Sequence, residues 1–192
     1  MSHNGEVLRR GRGERDQESS PPAARHVVIA VGDPFQWRSR DPQDWERLLG
    51  ELARVAASEN VAAITLVPVT GEAEWHFDLS RVVEGVAISA ESRRDGRTRI
   101  IEALRDWPIG ETITEETLGR AVRGETGEPD LVIVCGSDER LPPTLVWELA
   151  YAELVYVNVS WTQIGGSVLS EALAEFRVRQ RRFGGVDESS RT

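Results

Sequence analysis

The chain has 192 residues, 40% of them hydrophobic and 29% charged, with a formal charge of -9. That length and balance suit one packed domain, and the acidic surface excludes a protein that grips a nucleic-acid backbone, which rewards clustered basic residues. A single cysteine, Cys135, excludes an internal disulfide and suits a reducing cytoplasm, and His3, His26 and His76 are too scattered for metal-ligand spacing.

Residues 1–24, rich in Arg, Glu, Gly and Ser and closing on Ser19-Ser20-Pro21-Pro22, offer nothing to bury and predict a disordered arm. They lack the apolar run of a signal peptide, and no later stretch reaches the roughly 20 apolar residues that span a bilayer, so any membrane contact is expected to be peripheral. His26 to Val31 is a β-branched run of the kind found in a strand covered on both faces. Asp41-Pro42 opens a helix, with Asp41 as cap and Pro42 in the first turn, and Trp45, Leu48, Leu49, Leu52, Val55 and Ala56 recur at helical spacing.

Val61 to Val69 predicts a second strand and Val82 to Ser89 a third. Helices are predicted over Arg97–Asp106 and Thr114–Val122, separated at Pro108. Then follow a strand at Asp130–Cys135, a helix at Pro143–Leu154, a strand at Val155–Val159 and a helix at Ser167–Phe183 closed by Gly184. This alternation predicts an α/β domain over 25–185, with a mainly parallel sheet of about five strands flanked by helices and a flexible tail at 186–192. Ligands of such sheets sit beyond the carboxyl ends of the strands, which directs attention to the loops starting near Gly32, Thr70, Glu91 and Gly136.

The run PDLVIVCGSDERLPPTLVWELAYAELVYVNVSW from Pro129, with ALAEFRVRQRRFGG after it, resembles the carboxyl-terminal half of the cis-prenyltransferase (undecaprenyl diphosphate synthase) family. In that pattern a strand ending Arg-Thr-x-Gly-Glu-x-Arg leads to Ser-Asn-Phe, Trp-Gln and Tyr-x-Glu-Leu. Arg140 matches the second arginine, Trp147 the helix tryptophan, and Tyr151, Glu153 and Leu154 the Tyr-x-Glu-Leu. Trp161 matches the tryptophan after the next strand, and Arg182-Phe183-Gly184 the terminal Arg-x-Gly. Upstream the likeness thins. Trp37 matches the opening Met-Asp-Gly-Asn-x-Arg-Trp motif, and Glu72, Trp75, Gly96 and Arg97 persist from later ones.

The resemblance implies joining of isopentenyl diphosphate to an allylic diphosphate, with Mg²⁺, a carboxylate, arginines and backbone N–H groups stabilising the leaving diphosphate. It also implies that this chain is degenerate. Gly32 stands where the family carries its first-strand aspartate, Gln36 and Val134 replace arginines, and Pro142 replaces a serine. Little sequence separates Trp75 from Val82, where the family carries the walls of its product tunnel. The combination resembles the Nogo-B receptor type partners of eukaryotic dehydrodolichyl diphosphate synthase, which share the fold, lack the aspartate and keep the Arg-x-Gly. It implies a non-catalytic subunit that pairs with a catalytic cis-prenyltransferase subunit, donates Arg182 and Gly184 to that subunit's diphosphate site, and leaves Mg²⁺ to the partner. Arg140 and Arg97 are then remnants of a diphosphate site, and Leu145, Trp147, Tyr151 and Trp161 packing or interface residues.

Two rivals stand beside this reading. One is an active, atypical prenyltransferase with Asp33 as its carboxylate and Glu153 as a metal ligand; the other is a non-enzymatic binding protein that reuses the fold. Arg93, Arg94 and Arg97 form a basic turn that reads either as a phosphate cradle or as a charge-balanced loop. Cys135, with no activating histidine in a motif, reads as a buried structural thiol.

Overall fold

The computed structural model describes residues 24–72, 75–124, 127–136 and 140–183, the last four by backbone alone. The predicted arm up to residue 23, the tail at 186–192 and Gly184 lie outside the described residues. Ala24, placed in the arm by composition, is buried against the core.

Strand β1 (His26–Ala30) is buried at every position. Its apolar run is continuous because both faces of the strand are covered. The chain then turns through α1 (Pro34–Arg38), a helix too short to leave a periodic signal, fixed by a reciprocal cap. Asp33 Oδ1 accepts the Gln36 N–H at 2.8 Å, and Gln36 Oε1 accepts the Asp33 N–H at 3.0 Å. Helix α2 (Pro42–Ser58) starts as expected, with Asp41 capping the Gln43 N–H and the stripe of Trp45, Leu48, Leu49, Leu52, Ala53 and Ala56 buried.

Strand β2 (Ala63–Val67) follows. The predicted third strand is instead a hairpin of β3 (Asp78–Val83) and β4 (Val86–Glu91). Glu84 and Gly85, at φ 51° and 82°, make the two-residue turn, the two positive φ values that a right-twisted hairpin demands. Val82 to Ser89 therefore spans the tip of the hairpin, hidden in the sequence because Glu-Gly is a weaker turn signal than Asn-Gly. The sheet has six strands rather than about five, in the order β3-β4-β2-β1-β5-β6, and only the β3–β4 pairing is antiparallel.

Helices α3 (Gly96–Arg105) and α4 (Glu115–Arg123) and strand β5 (Leu131–Cys135) fall within a residue or so of expectation. The helix expected at Pro143–Leu154 does not form. Two single 3₁₀ turns, Pro143–Leu145 and Glu148–Ala150, stand in its place, and Glu153 already opens β6 (Glu153–Val157). Tertiary demands decide this: Leu145 is fully buried under the sheet and the Glu148 carboxylate is drawn inward by Arg93 and Arg99. Helix α5 (Gly166–Phe183) returns across the sheet to pack with α2 on one face, while Val28, Ala30, Val67, Val132, Val134 and Leu145 form a smaller core on the other. No helix among the described residues is long and apolar enough to cross a membrane.

On the second face, His26 Nε2 lies 3.1 Å from Thr65 Oγ1. Burial, reinforced by the nearby Arg93 cation and opposed by Asp130 and Glu91, holds its pKa below the usual 6.5. The unfolded chain therefore takes up this proton first on acidification, so His26 lowers stability as pH falls below about 6.5 and has no such effect above it. The melting temperature is expected to drop between pH 7.5 and 5.5 by less in His26→Gln than in the parent; equal drops would show that His26 is not responsible.

Candidate functional site

The carboxyl ends of β1, β2, β4 and β5 converge on the loops singled out from the sequence. At the end of β1, Val31 N–H donates to Val67 O at 2.9 Å and Val69 N–H to Gly32 O at 2.8 Å, so two loops are stitched together directly beyond the sheet. Gly32 has φ 67°, and a Cβ placed there would lie 3.0 Å from Trp161 Cε3 and 3.1 Å from Gln36 Oε1. An aspartate at position 32 thus meets both an unfavourable backbone conformation and an indole ring.

That indole belongs to an aromatic cluster that fills the mouth of the sheet. Trp37 donates its Nε1–H to Val31 O at 2.7 Å and stacks on Trp161 at 5.7 Å and 15°. Trp45, Trp75 and Phe77 meet Trp37 edge-on at 4.9, 6.0 and 5.5 Å. The sequence has six tryptophans, and the fold gathers four of them from α1, α2 and two loops.

The candidate residues separate around this cluster. The Asp33 carboxylate is engaged as the cap of α1. Glu153 opens β6 at the level of Leu131 and Val27 and faces Arg179 at 3.8 Å. About 10 Å of strand lies between that level and the end of β1, beyond which Asp33 begins. The structure does not bring these two carboxylates together.

Each arginine of the basic turn has an acid of its own: Arg93 pairs with Glu91 and Glu148, Arg94 with Glu102, and Arg97 with Asp95. The Arg97 hydrogen bond holds the Asp95 carboxyl below its ordinary pKa. The turn is charge-balanced, with each guanidinium facing a carboxylate. Arg140 is exposed, beside residues 137–139, which lie outside the described residues. Cys135 is buried, and desolvation pushes its thiol up to about 12, which leaves it inert.

The expected interface residues also divide. Leu145 is fully buried and Trp161 is 8% exposed, so both belong to the cores of this chain, drawn in by the sheet and by Trp37. Trp147 is half-buried against Gly119, and Tyr151 is 69% exposed, with its hydroxyl donating to Glu115 Oε1 at 2.6 Å. Arg182 lies in the last turn of α5, where only backbone is described.

The Mg²⁺ implied by the resemblance does not fit the residues beyond β1. Asp33 is capping, Glu72 pairs with Arg38, and no group of three potential ligands occurs among the described residues. Sequence reasoning missed two further features here: the buried Arg93–Glu148–Arg99 network, and Arg40, whose guanidinium lies 4.4 Å from the Trp161 ring centroid.

Comparison with known proteins places this geometry. Residues 72–184 match the family described as "Putative undecaprenyl diphosphate synthase". An isoprenyl transferase of Nitrosomonas europaea is 33% identical over 185 residues, covering 85% of this chain and 69% of the relative. One of Neisseria meningitidis serogroup A is 37% identical over 108 residues, and there the match spans 54% of this chain and 43% of the relative's length. The crystal structure of a probable undecaprenyl diphosphate synthase from Campylobacter jejuni superposes with a TM-score of 0.60 at 17% identity, over 84% of this chain and 99% of that one, which shows a shared fold.

Proposed function

The chain belongs to the undecaprenyl diphosphate synthase family of isoprenyl transferases, and from that premise we propose that it is a non-catalytic accessory subunit of a heteromeric cis-prenyltransferase. Its partner is a catalytic subunit that condenses isopentenyl diphosphate with an allylic diphosphate, and the Arg182-Phe183-Gly184 segment reaches that partner's diphosphate site. One observation carries the reading: the edge of Trp161 stands where the side chain of a family aspartate at position 32 would project. Restoring catalysis would require moving an indole that stacks on Trp37, not merely exchanging one residue.

Two features support it. The short path from Trp75 into β3 leaves the sheet without the segment that walls the family's product tunnel, and aromatic rings fill the mouth instead. The carboxylates that an active enzyme would draw on, Asp33 and Glu153, sit at opposite ends of the sheet. Arg182 suits a role in trans because a guanidinium binds phosphate oxygens bidentately, and Gly184 permits a close backbone approach.

The test is co-expression with family synthases that retain the aspartate. The chain should co-purify with one of them, and alone should incorporate no radiolabelled isopentenyl diphosphate with Mg²⁺ and allylic diphosphate. In the complex, Arg182→Ala should leave assembly intact and lower activity by about 10- to 100-fold. Incorporation by the chain alone, abolished by Asp33→Ala, would establish an active enzyme instead. Failure to bind any such synthase would favour a binding protein that reuses the fold.

A further inference from the structure

Strand β3 forms one margin of the six-stranded sheet, at the opposite side from β6. Its pairing with β4 is regular over the whole strand, and the turn at Glu84-Gly85 fixes which of its backbone groups face inward. Ser92 N–H donates to Phe77 O at 2.8 Å, so Phe77, Leu79, Arg81 and Val83 spend their N–H and C=O groups on β4. Asp78, Ser80 and Val82 point theirs the other way. Among the described residues, the partner found on that side is the Arg81 guanidinium, which donates to Ser80 O at 2.9 Å.

An open edge of this kind invites a further strand, and natural sheets blunt their edges with Pro, Lys or a bulge. β3 has none of these. Its sequence, Asp-Leu-Ser-Arg-Val-Val, carries one acid and one base, so in a chain of net charge -9 a second copy meets no excess of like charge at this strand. The strand is also self-complementary. Laid antiparallel on its copy about a two-fold axis at Ser80, it sets Leu79 against the stem of the copy's Arg81 and Val83 against the copy's Phe77, on the face that packs on α2. On the other face Ser80 meets its own equivalent, and His76 comes level with the copy's Glu84. A slip of two residues toward the turn would oppose Arg81 to itself, and the reverse slip would pair three residues of the strand instead of five.

We propose that β3 pairs with β3 of a second copy of this chain about a two-fold axis at Ser80, joining the two six-stranded sheets edge to edge. The contact goes beyond the accessory-subunit reading. It uses the margin of the sheet away from β6, and it links two copies of this chain independently of any synthase. A pairing of five residues buries less than a standard interface, so the dimer is weak, with Kd expected at about 0.1 mM.

The experiment is sedimentation of the full chain from about 10 µM to about 500 µM, a range that brackets this Kd. The dimer fraction is expected to grow with concentration. Ser80→Pro removes one outward N–H and leaves the β4 ladder whole, so it should keep the melting temperature within about 2 °C and weaken dimerisation by about tenfold or more. Ser80→Lys, on an exposed position where the new charge faces itself across the axis, should weaken it likewise and serves if the proline variant does not fold. Ser80→Cys should form an intermolecular disulfide on mild oxidation, because directly opposed residues of this kind stand about 5.5 Å apart at Cα. The buried Cys135 should not. A parent that stays monomeric at the upper concentration would overturn the proposal. A dimer left unchanged by the folded Ser80 variants would also overturn it, by placing the contact on another surface. Cross-linking of Val82→Cys in preference to Ser80→Cys would overturn the axis at Ser80.

Discussion

Gly32→Asp is expected to cost stability without producing an enzyme. The new Cβ lies 3.0 Å from Trp161 Cε3 at a backbone φ of 67°, so overpacking and left-handed strain act together. Their sum is about 2–5 kcal/mol, or roughly 4–20 °C in melting temperature for a chain of this size. The partner in this conflict is identifiable. Trp161→Ala alone should also destabilise, by about 3–5 kcal/mol, because the ring is packed on Trp37 and Trp45. The double variant should lose less than the sum of the two, since the cavity left by the indole admits the aspartate. Strict additivity, or a Gly32→Asp melting temperature within about 2 °C of the parent, would show that the indole does not exclude the family aspartate.

Removing the carboxylate of Glu148 should be as damaging, for a different reason. Its side chain is 2% exposed and meets Arg93 at 2.5 Å and Arg99 at 2.9 Å, with Arg93 itself 6% exposed. Glu148→Ala leaves Arg99 without its acid and Arg93 with Glu91 alone, and breaking a buried pair from one side costs about 3–5 kcal/mol. Glu148 Oε2 has no hydrogen-bond partner of its own, so the network is not optimised for stability as it stands. Replacing the ions together, as Arg93→Met with Glu148→Leu, should therefore cost much less than Glu148→Ala. Urea unfolding of the three proteins measures this, and a Glu148→Ala loss below about 1 kcal/mol would mean that Glu91 and water suffice for the two guanidinium groups.

How far each feature was legible depends on the range of the interactions that set it. The Asp41 cap and the stripe of α2 were readable because a helix cap and a 3.6-residue period are contained in a few neighbouring residues. The buried strands β1 and β5 were readable for the same reason, as continuous apolar runs. The β3–β4 hairpin was not, because Val82 to Ser89 looks uniformly strand-like until Glu84 and Gly85 are seen to take positive φ. The 143–154 segment carries a helical pattern, but its residues answer to partners far along the chain. Thr144 Oγ1 donates to Pro68 O at 3.2 Å, and Glu148 answers Arg93, 55 residues away.

The sequence by itself determined the α/β class, the boundaries of the main helices and the family. These rest on local periodicity and on residue identity in an ordered series of motifs, neither of which needs a third dimension. Only the tertiary structure decided that Asp33 caps a helix, that Glu153 stands at the far end of the sheet, and that Leu145 and Trp161 are core residues. The same holds for Arg40, whose guanidinium lies over the rings of Trp161 and Trp45. Each of these outcomes follows from which distant side chains share a volume, and a parallel sheet brings together strands separated by whole helices.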